Sequence, residues 1–285
     1  MQPSDPVENQ PQQPIEGETA ASGGPAAPAP PVEASPVPGA AAELPAPTPR
    51  PAGPLPGERP LALLEIFVVS GILTDVLAVL LAGWLTGLGR EGVHARPHGL
   101  FVFLMISTVF ILGAAALFQR LHRGNPALHL RFRPAAGWLR ELAAMAACVP
   151  VVFVTLWAAE LAIMLVDPKA IQQINPILAM IRTPSDLALF MVSGVIAGGV
   201  REEVQRAFII RRAAVYFWSP WVGLLLWSVV FGLAHAPQGP AAIVITALLG
   251  LEFGIFYLWR GTLAVPVGVH SLFNVAVLVV YWLTR

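Results

Sequence analysis

Charge is scarce in this chain. Only 12% of its 285 residues are Asp, Glu, Lys or Arg, where a soluble domain carries about 25%. With 56% hydrophobic residues and a mean hydropathy of +0.68, that deficit excludes an ordinary soluble globule and defines an integral membrane protein. The formal net charge is +0, so no bulk basicity points to nucleic acid, and none is expected as a partner. Cysteine is nearly absent as well. Cys148 stands alone, which excludes a disulfide framework and a Cys-rich metal site; lying in an apolar run, it reads as a small core residue. The opening Met1-Gln-Pro-Ser-Asp5 has neither the basic nor the apolar stretch of a signal peptide, so membrane entry is expected from internal spans.

Branched apolar and aromatic residues are sparse from residue 1 to about 59, where Pro, Ala, Glu and Gly dominate, as in Pro25-Ala-Ala-Pro-Ala-Pro-Pro31 and Pro45-Ala-Pro-Thr-Pro49. Such density of proline blocks helix, and too little apolar surface remains for a core. Residues 1–59 are therefore expected to be a disordered Pro/Ala-rich tail, and residues 60–285 a transmembrane helical domain. Apolar segments long enough for about 30 Å of hydrocarbon fall at about 61–85, 98–119, 141–166, 185–212, 219–236, 239–259 and 262–283. The expected fold is all-α, a polytopic transmembrane bundle of about seven helices, with a kink at Pro150 in the third. The loop at 120–140 holds Arg120, Arg123, Arg131, Arg133 and Arg140, while Arg211 and Arg212 close the fourth segment and Arg260 follows the sixth. By the positive-inside tendency these ends face the cytoplasm. Counting back puts the N-terminus there too, in what is expected to be a bacterial plasma membrane.

Within the apolar segments a few polar residues recur. Glu202, Glu203 and Arg206 follow the run Phe190–Val200, about 15 Å along the helix from the arginine pair and so near mid-bilayer. Charges there cost roughly 2.5 to 3.5 kcal/mol each on insertion scales and persist only where they face protein or a polar cavity. Glu202 and Arg206 are four apart and share a helix face; Glu203 and Arg206, three apart, can also meet. Gly198 and Gly199 permit another helix to approach closely. His235 closes the run from Trp227, ahead of Ala236-Pro-Gln-Gly-Pro240, where the helix is expected to break; Phe231 lies one turn before it. His270 and Asn274 are again four apart, with Pro266 and Gly268 placed to loosen the helix beside them. Taken singly, Asn274 or either histidine reads equally as interhelical glue, and Glu65, Asp75 and Glu160 as acids that pair or snorkel. Together the six supply carboxylate bases and hydrogen-bond donors, the inventory for amide hydrolysis.

Three motifs carry a family resemblance: Glu202-Glu203-Val-Gln-Arg206, Phe231-Gly-Leu-Ala-His235 and His270-Ser-Leu-Phe-Asn274, with Gly250-Leu-Glu-Phe-Gly254 and Tyr257-Leu-Trp-Arg260 between them. In that order the chain resembles the CPBP family of intramembrane proteases, which includes type II CAAX prenyl endopeptidases and Abi-type membrane proteins. The likeness covers a protease-like core at 185–283. The first motif has one residue fewer between acids and arginine than the family's Glu-Glu-x-x-x-Arg, so either glutamate can be the base; Glu202 is favoured for its four-residue spacing to Arg206.

What the resemblance implies is an endopeptidase acting on membrane-associated or lipid-anchored polypeptides at the bilayer. Glu202 or Glu203 with His235 would activate water, His270 and Asn274 would stabilise the oxyanion, and Arg206 would hold the carboxylates. No organic cofactor is implied. His235, His270 and Glu202 are the ligands expected for Zn2+ or another divalent ion, although no His-Glu-x-x-His motif is present. The alternatives are a non-catalytic binding or immunity protein of the same fold and an ion or solute carrier. Nothing in the sequence specifies prenyl recognition or oligomeric state.

Overall fold

The computed structural model describes residues 57–132, 137–172 and 175–285. The tail expected at 1–59 lies almost wholly outside the described residues. Among those described, every regular element is helical. Helices α1 (Glu58–Val69) and α2 (Ile72–Thr86) break at Ser70–Gly71, where Gly71 has φ +95°, a left-handed conformation that disfavours any side chain. There follow α3 (Gly89–Ala95), α4 (Pro97–Leu121), a short turn of 3₁₀ helix at Pro126–Leu128, and α5 (Trp138–Val166). Two short helices, α6 (Pro168–Gln172) and α7 (Pro176–Ala179), lead to α8 (Pro184–Ser193). A π-helical segment, Gly194–Glu202, joins α8 directly to α9 (Glu203–Tyr216). The chain ends with α10 (Pro220–Ala234), α11 (Pro240–Arg260) and α12 (Ala264–Thr284).

Prolines at the first position start α4, α8, α10 and α11, where the missing N–H has no helical partner to lose. Thr183 and Asp186 cap α8 reciprocally: the Asp186 N–H donates to Thr183 Oγ1 at 3.1 Å, and the Thr183 N–H to Asp186 Oδ2 at 2.9 Å. The helix breaks at His235 as expected. Pro150 does not interrupt α5, and α12 is continuous across Pro266 and Gly268, because Pro266 falls in the first turn, where no carbonyl awaits its N–H.

Five of these helices, with α1 and α2 taken as one broken span, are long and apolar enough to cross a membrane. The pair Pro168–Ala179 and Pro184–Tyr216, bent by 102°, would make a sixth. The expected seven is not reached by length and composition, since α10 has 15 residues. The protein is an integral membrane protein with an all-α bundle.

Buried acids organise the arginine-rich end. Glu65 of α1 accepts from Arg212 Nε at 2.7 Å and meets His122 Nε2 at 2.6 Å. Glu141 of α5 is paired with Arg260 at the end of α11. Arg211 donates to the Tyr257 hydroxyl at 2.8 Å. The main core lies between these contacts and the polar site, with Phe208, Leu224, Trp227, Phe231 and Tyr257 packed together. Cys148 is buried in a second cluster with Val152, Phe253 and Val269.

Candidate active site

Helix α12 approaches the π-helical segment so closely that only glycine fits. A Cβ at Gly199 would stand 1.9 Å from Ser271 Oγ, and one at Gly198 would stand 2.2 Å from Asn274 Nδ2. Asn274 Nδ2 donates to the Gly194 carbonyl at 2.9 Å, supplying a partner from outside where the helix is widened. π-helical turns are rare and concentrate at functional sites; this one ends at Glu202.

The two glutamates therefore leave the helix in different surroundings. Glu203 is 1% exposed and its Oε1 accepts from Arg206, which is 0% exposed. The same oxygen accepts from His270 Nδ1 at 2.7 Å. Glu202, 12% exposed, pairs instead with Arg201, whose NH2 donates to Oε1 at 2.9 Å. The expected Glu202–Arg206 pairing is thus corrected: Arg206 holds Glu203. Four-residue spacing predicts a shared face only in an α-helix, and Glu202 closes the π-helical stretch while Glu203 opens α9.

His270 stands between both carboxylates. With Nδ1–H donated to Glu203, Nε2 is the free ring nitrogen, and it lies 3.9 Å from Glu202 Oε2, a separation that one water can bridge. Its ring stacks on Phe253 at 4.4 Å between centroids. The guanidinium of Arg206 lies over Phe231 at 4.9 Å and Phe253 at 5.7 Å, contacts that favour a desolvated cation. Gly250 and Gly254 make room for this layer: a Cβ at Gly250 would be 3.0 Å from Phe231 Cδ1, and one at Gly254 3.3 Å from Arg206 Cδ.

His235 joins this group only through Phe231. Its ring packs edge-on against Phe231 at 4.6 Å, and its Nδ1 donates to the Phe231 carbonyl at 2.8 Å, leaving Nε2 free. Among the described residues it makes no hydrogen bond or ion pair with Glu202, Glu203 or His270. The expected ligand set of His235, His270 and Glu202 is therefore not assembled, and no three His, Cys, Asp or Glu side chains among the described residues stand close enough to hold a metal ion. The physical reason is placement: His235, at the C-cap of α10, packs on Phe231 and not on the His270–Glu203 pair. The residues present do not fit a three-ligand divalent site.

Sequence reasoning missed a chain behind Glu202. Arg201 NH1 donates to Ser107 Oγ at 3.0 Å, and Ser107 Oγ in turn donates to Asp75 Oδ1. Polarity within an apolar span marked Asp75 but not its partners, which come from α4 and the π-helical segment. Ser107→Ala removes both bonds at once. It is expected to cost about 1–2 kcal/mol of stability and, by freeing Arg201, to lower the kcat of any hydrolysis about tenfold with KM little changed. Thermal unfolding and steady-state kinetics on purified protein would check this, and unchanged kcat would remove the chain from the site.

Fold and site together define a polytopic helical membrane protein with a buried carboxylate–guanidinium–imidazole centre. Residues 184–276 match the family model described as type II CAAX prenyl endopeptidase Rce1-like. The segment from α8 into α12, containing all three motifs, is thus Rce1-like, which bears out the resemblance there and is consistent with a CPBP family protease. The family that this segment resembles is typically proteolytic. No curated protein and no solved structure gave a match.

Proposed function

We propose that the protein is an intramembrane endopeptidase that hydrolyses a peptide bond of a membrane-associated or lipid-anchored polypeptide with side-chain-activated water. The observation that carries this reading is His270 bracketed by two glutamates, Nδ1 on Glu203 and Nε2 facing Glu202. Glu203 fixes the imidazole tautomer and orientation, as the carboxylate does in a Ser-His-Asp triad. Arg206 keeps Glu203 ionised and in place.

A water between His270 Nε2 and Glu202 Oε2 loses its proton to this pair while its oxygen attacks the scissile carbonyl carbon. The carbonyl π bond opens to an oxyanion. Asn274 Nδ2 packs against Gly198, on the side where His270 Nε2 also lies, and its second N–H, not used on the Gly194 carbonyl, donates to the oxyanion. Collapse of the tetrahedral intermediate breaks the C–N bond, and the abstracted proton passes to the leaving amine. His235, with Nε2 free and its ring against Phe231, borders the aromatic layer without touching the His270–glutamate group. Relative to the sequence expectation, His270 moves from oxyanion donor to base, and Glu202 remains the water-facing carboxylate.

Detergent-purified protein incubated with membrane-associated peptides is expected to show cleavage that Glu202→Gln lowers by about 10²–10⁴-fold and His235→Ala also lowers. Full activity in both variants sinks the reading. A chelator is expected to leave turnover intact, and elemental analysis to find no stoichiometric divalent ion. Loss of cleavage on chelation with recovery on adding Zn2+ would replace this route with a metal-dependent one. If instead no peptide is cut and Asn274→Ala or Arg206→Met changes only stability, the polar groups are helix glue in a non-catalytic binding protein. pH-driven solute flux through the same acids would identify a carrier.

A further inference from the structure

A crevice of about 670 Å³ runs between α4 and the helix that carries the glutamates. Its walls are apolar: Leu112, Ala115 and Ala116 on one face of α4, and Val200 and Val204 opposite. Val200 and Val204 flank the Glu202–Glu203 pair in sequence. The outer surface of α4 beside it, with Val109, Leu117 and Leu121 exposed, is a face suited to hydrocarbon. At the arginine-rich end the crevice changes character, and Arg120, Arg123 and His129 line its mouth.

Arg120 and Arg123 differ from two basic residues at the same end of the bundle. Arg212 and Arg260 at the same end are neutralised by Glu65 and Glu141. Arg120 and Arg123 are exposed and have no carboxylate partner among the described residues. His129 is tied down, its Nε2 within 3.2 Å of the His122 carbonyl. An apolar slot capped by two uncompensated guanidiniums is complementary to one ligand chemistry, a hydrocarbon chain ending in an anionic group. At the end that the positive-inside tendency assigns to the cytoplasmic leaflet, basic pockets between membrane helices take anionic phospholipid headgroups.

We infer that this crevice binds one anionic phospholipid, with an acyl chain against Ala116, Val200 and Val204 and its phosphate between Arg120 and Arg123. The site is independent of the hydrolytic reading and is tested without a cleavage assay. Full-length protein in detergent is equilibrated with phosphatidylglycerol or phosphatidylcholine, and bound lipid is counted by native mass spectrometry. Phosphatidylglycerol is expected to be retained preferentially, with Arg120→Gln/Arg123→Gln weakening it about 30-fold, taking about a fivefold loss for each arginine near the membrane surface. Ala116→Trp, which fills the slot and leaves both arginines, should also displace it. Equal retention of the two lipids, or phosphatidylglycerol binding untouched by both variants, overturns the inference. Displacement by soluble glycerol phosphate overturns it too, because it would identify a site for the phosphate alone.

Discussion

Glu203→Gln is expected to destabilise the protein by about 3–5 kcal/mol, whereas Glu202→Gln should change stability by no more than about 1 kcal/mol. The two residues are adjacent, but their surroundings differ. Glu203 is the anionic partner of Arg206, which is fully buried and rests on two aromatic rings. Removing that charge leaves a guanidinium in the apolar layer with no carboxylate, the costly half of a broken buried pair. Glu202 is partly exposed, and its partner Arg201 keeps a second bond to Ser107. Replacing Glu203 and Arg206 together by Gln and Met should recover much of the lost stability, since it removes both charges, while leaving the protein inactive. Thermal unfolding in detergent would measure all three. Equal stability of Glu202→Gln and Glu203→Gln would mean that the burial contrast does not set the energetics, and the division into a water-facing and a positioning glutamate would fall.

The bundle was legible in the sequence because hydropathy reports spans directly, and proline and glycine report their ends. Pro220, Pro240 and the Gly261 stop of α11 all fall where the apolar runs pause. The site residues were legible as types and spacings: His270 and Asn274 do share a face, both bordering Gly198. The pairing of the glutamates was not. It depends on a π-helical turn held by the Asn274–Gly194 bond between residues 80 apart in sequence, and local periodicity has no access to such a contact. The Asp75–Ser107–Arg201 chain was hidden for the same reason. The break of the first span at Ser70–Gly71 carried a local sign, a glycine between two apolar runs, but glycine inside a membrane helix is too common for that sign to decide.

Gly199→Ala should be the most damaging single methyl group added to the site. Its Cβ would meet Ser271 Oγ at 1.9 Å, Ser271 Cβ at 3.0 Å and Ser271 Cα at 3.3 Å. A hydroxyl can rotate away, but the Cβ and backbone of α12 cannot without shifting the helix. Overpacking of this kind costs about 1–3 kcal/mol. The displacement also carries function, because α12 bears His270, and a shift of about 1 Å at a reacting group can cost roughly 10²-fold in rate. Gly198→Ala meets only the end of a side chain, Asn274 Nδ2 at 2.2 Å, so it should unseat Asn274 from the Gly194 carbonyl at a smaller cost in stability. The decisive variant is the double substitution Gly199→Ala/Ser271→Gly, which removes the two closest atoms and restores the approach of α12. Its stability and its cleavage rate should both return toward wild type, giving a favourable coupling in a double-mutant cycle. If Ser271→Gly rescues neither, close packing of α12 on the π-helical segment is not what positions His270.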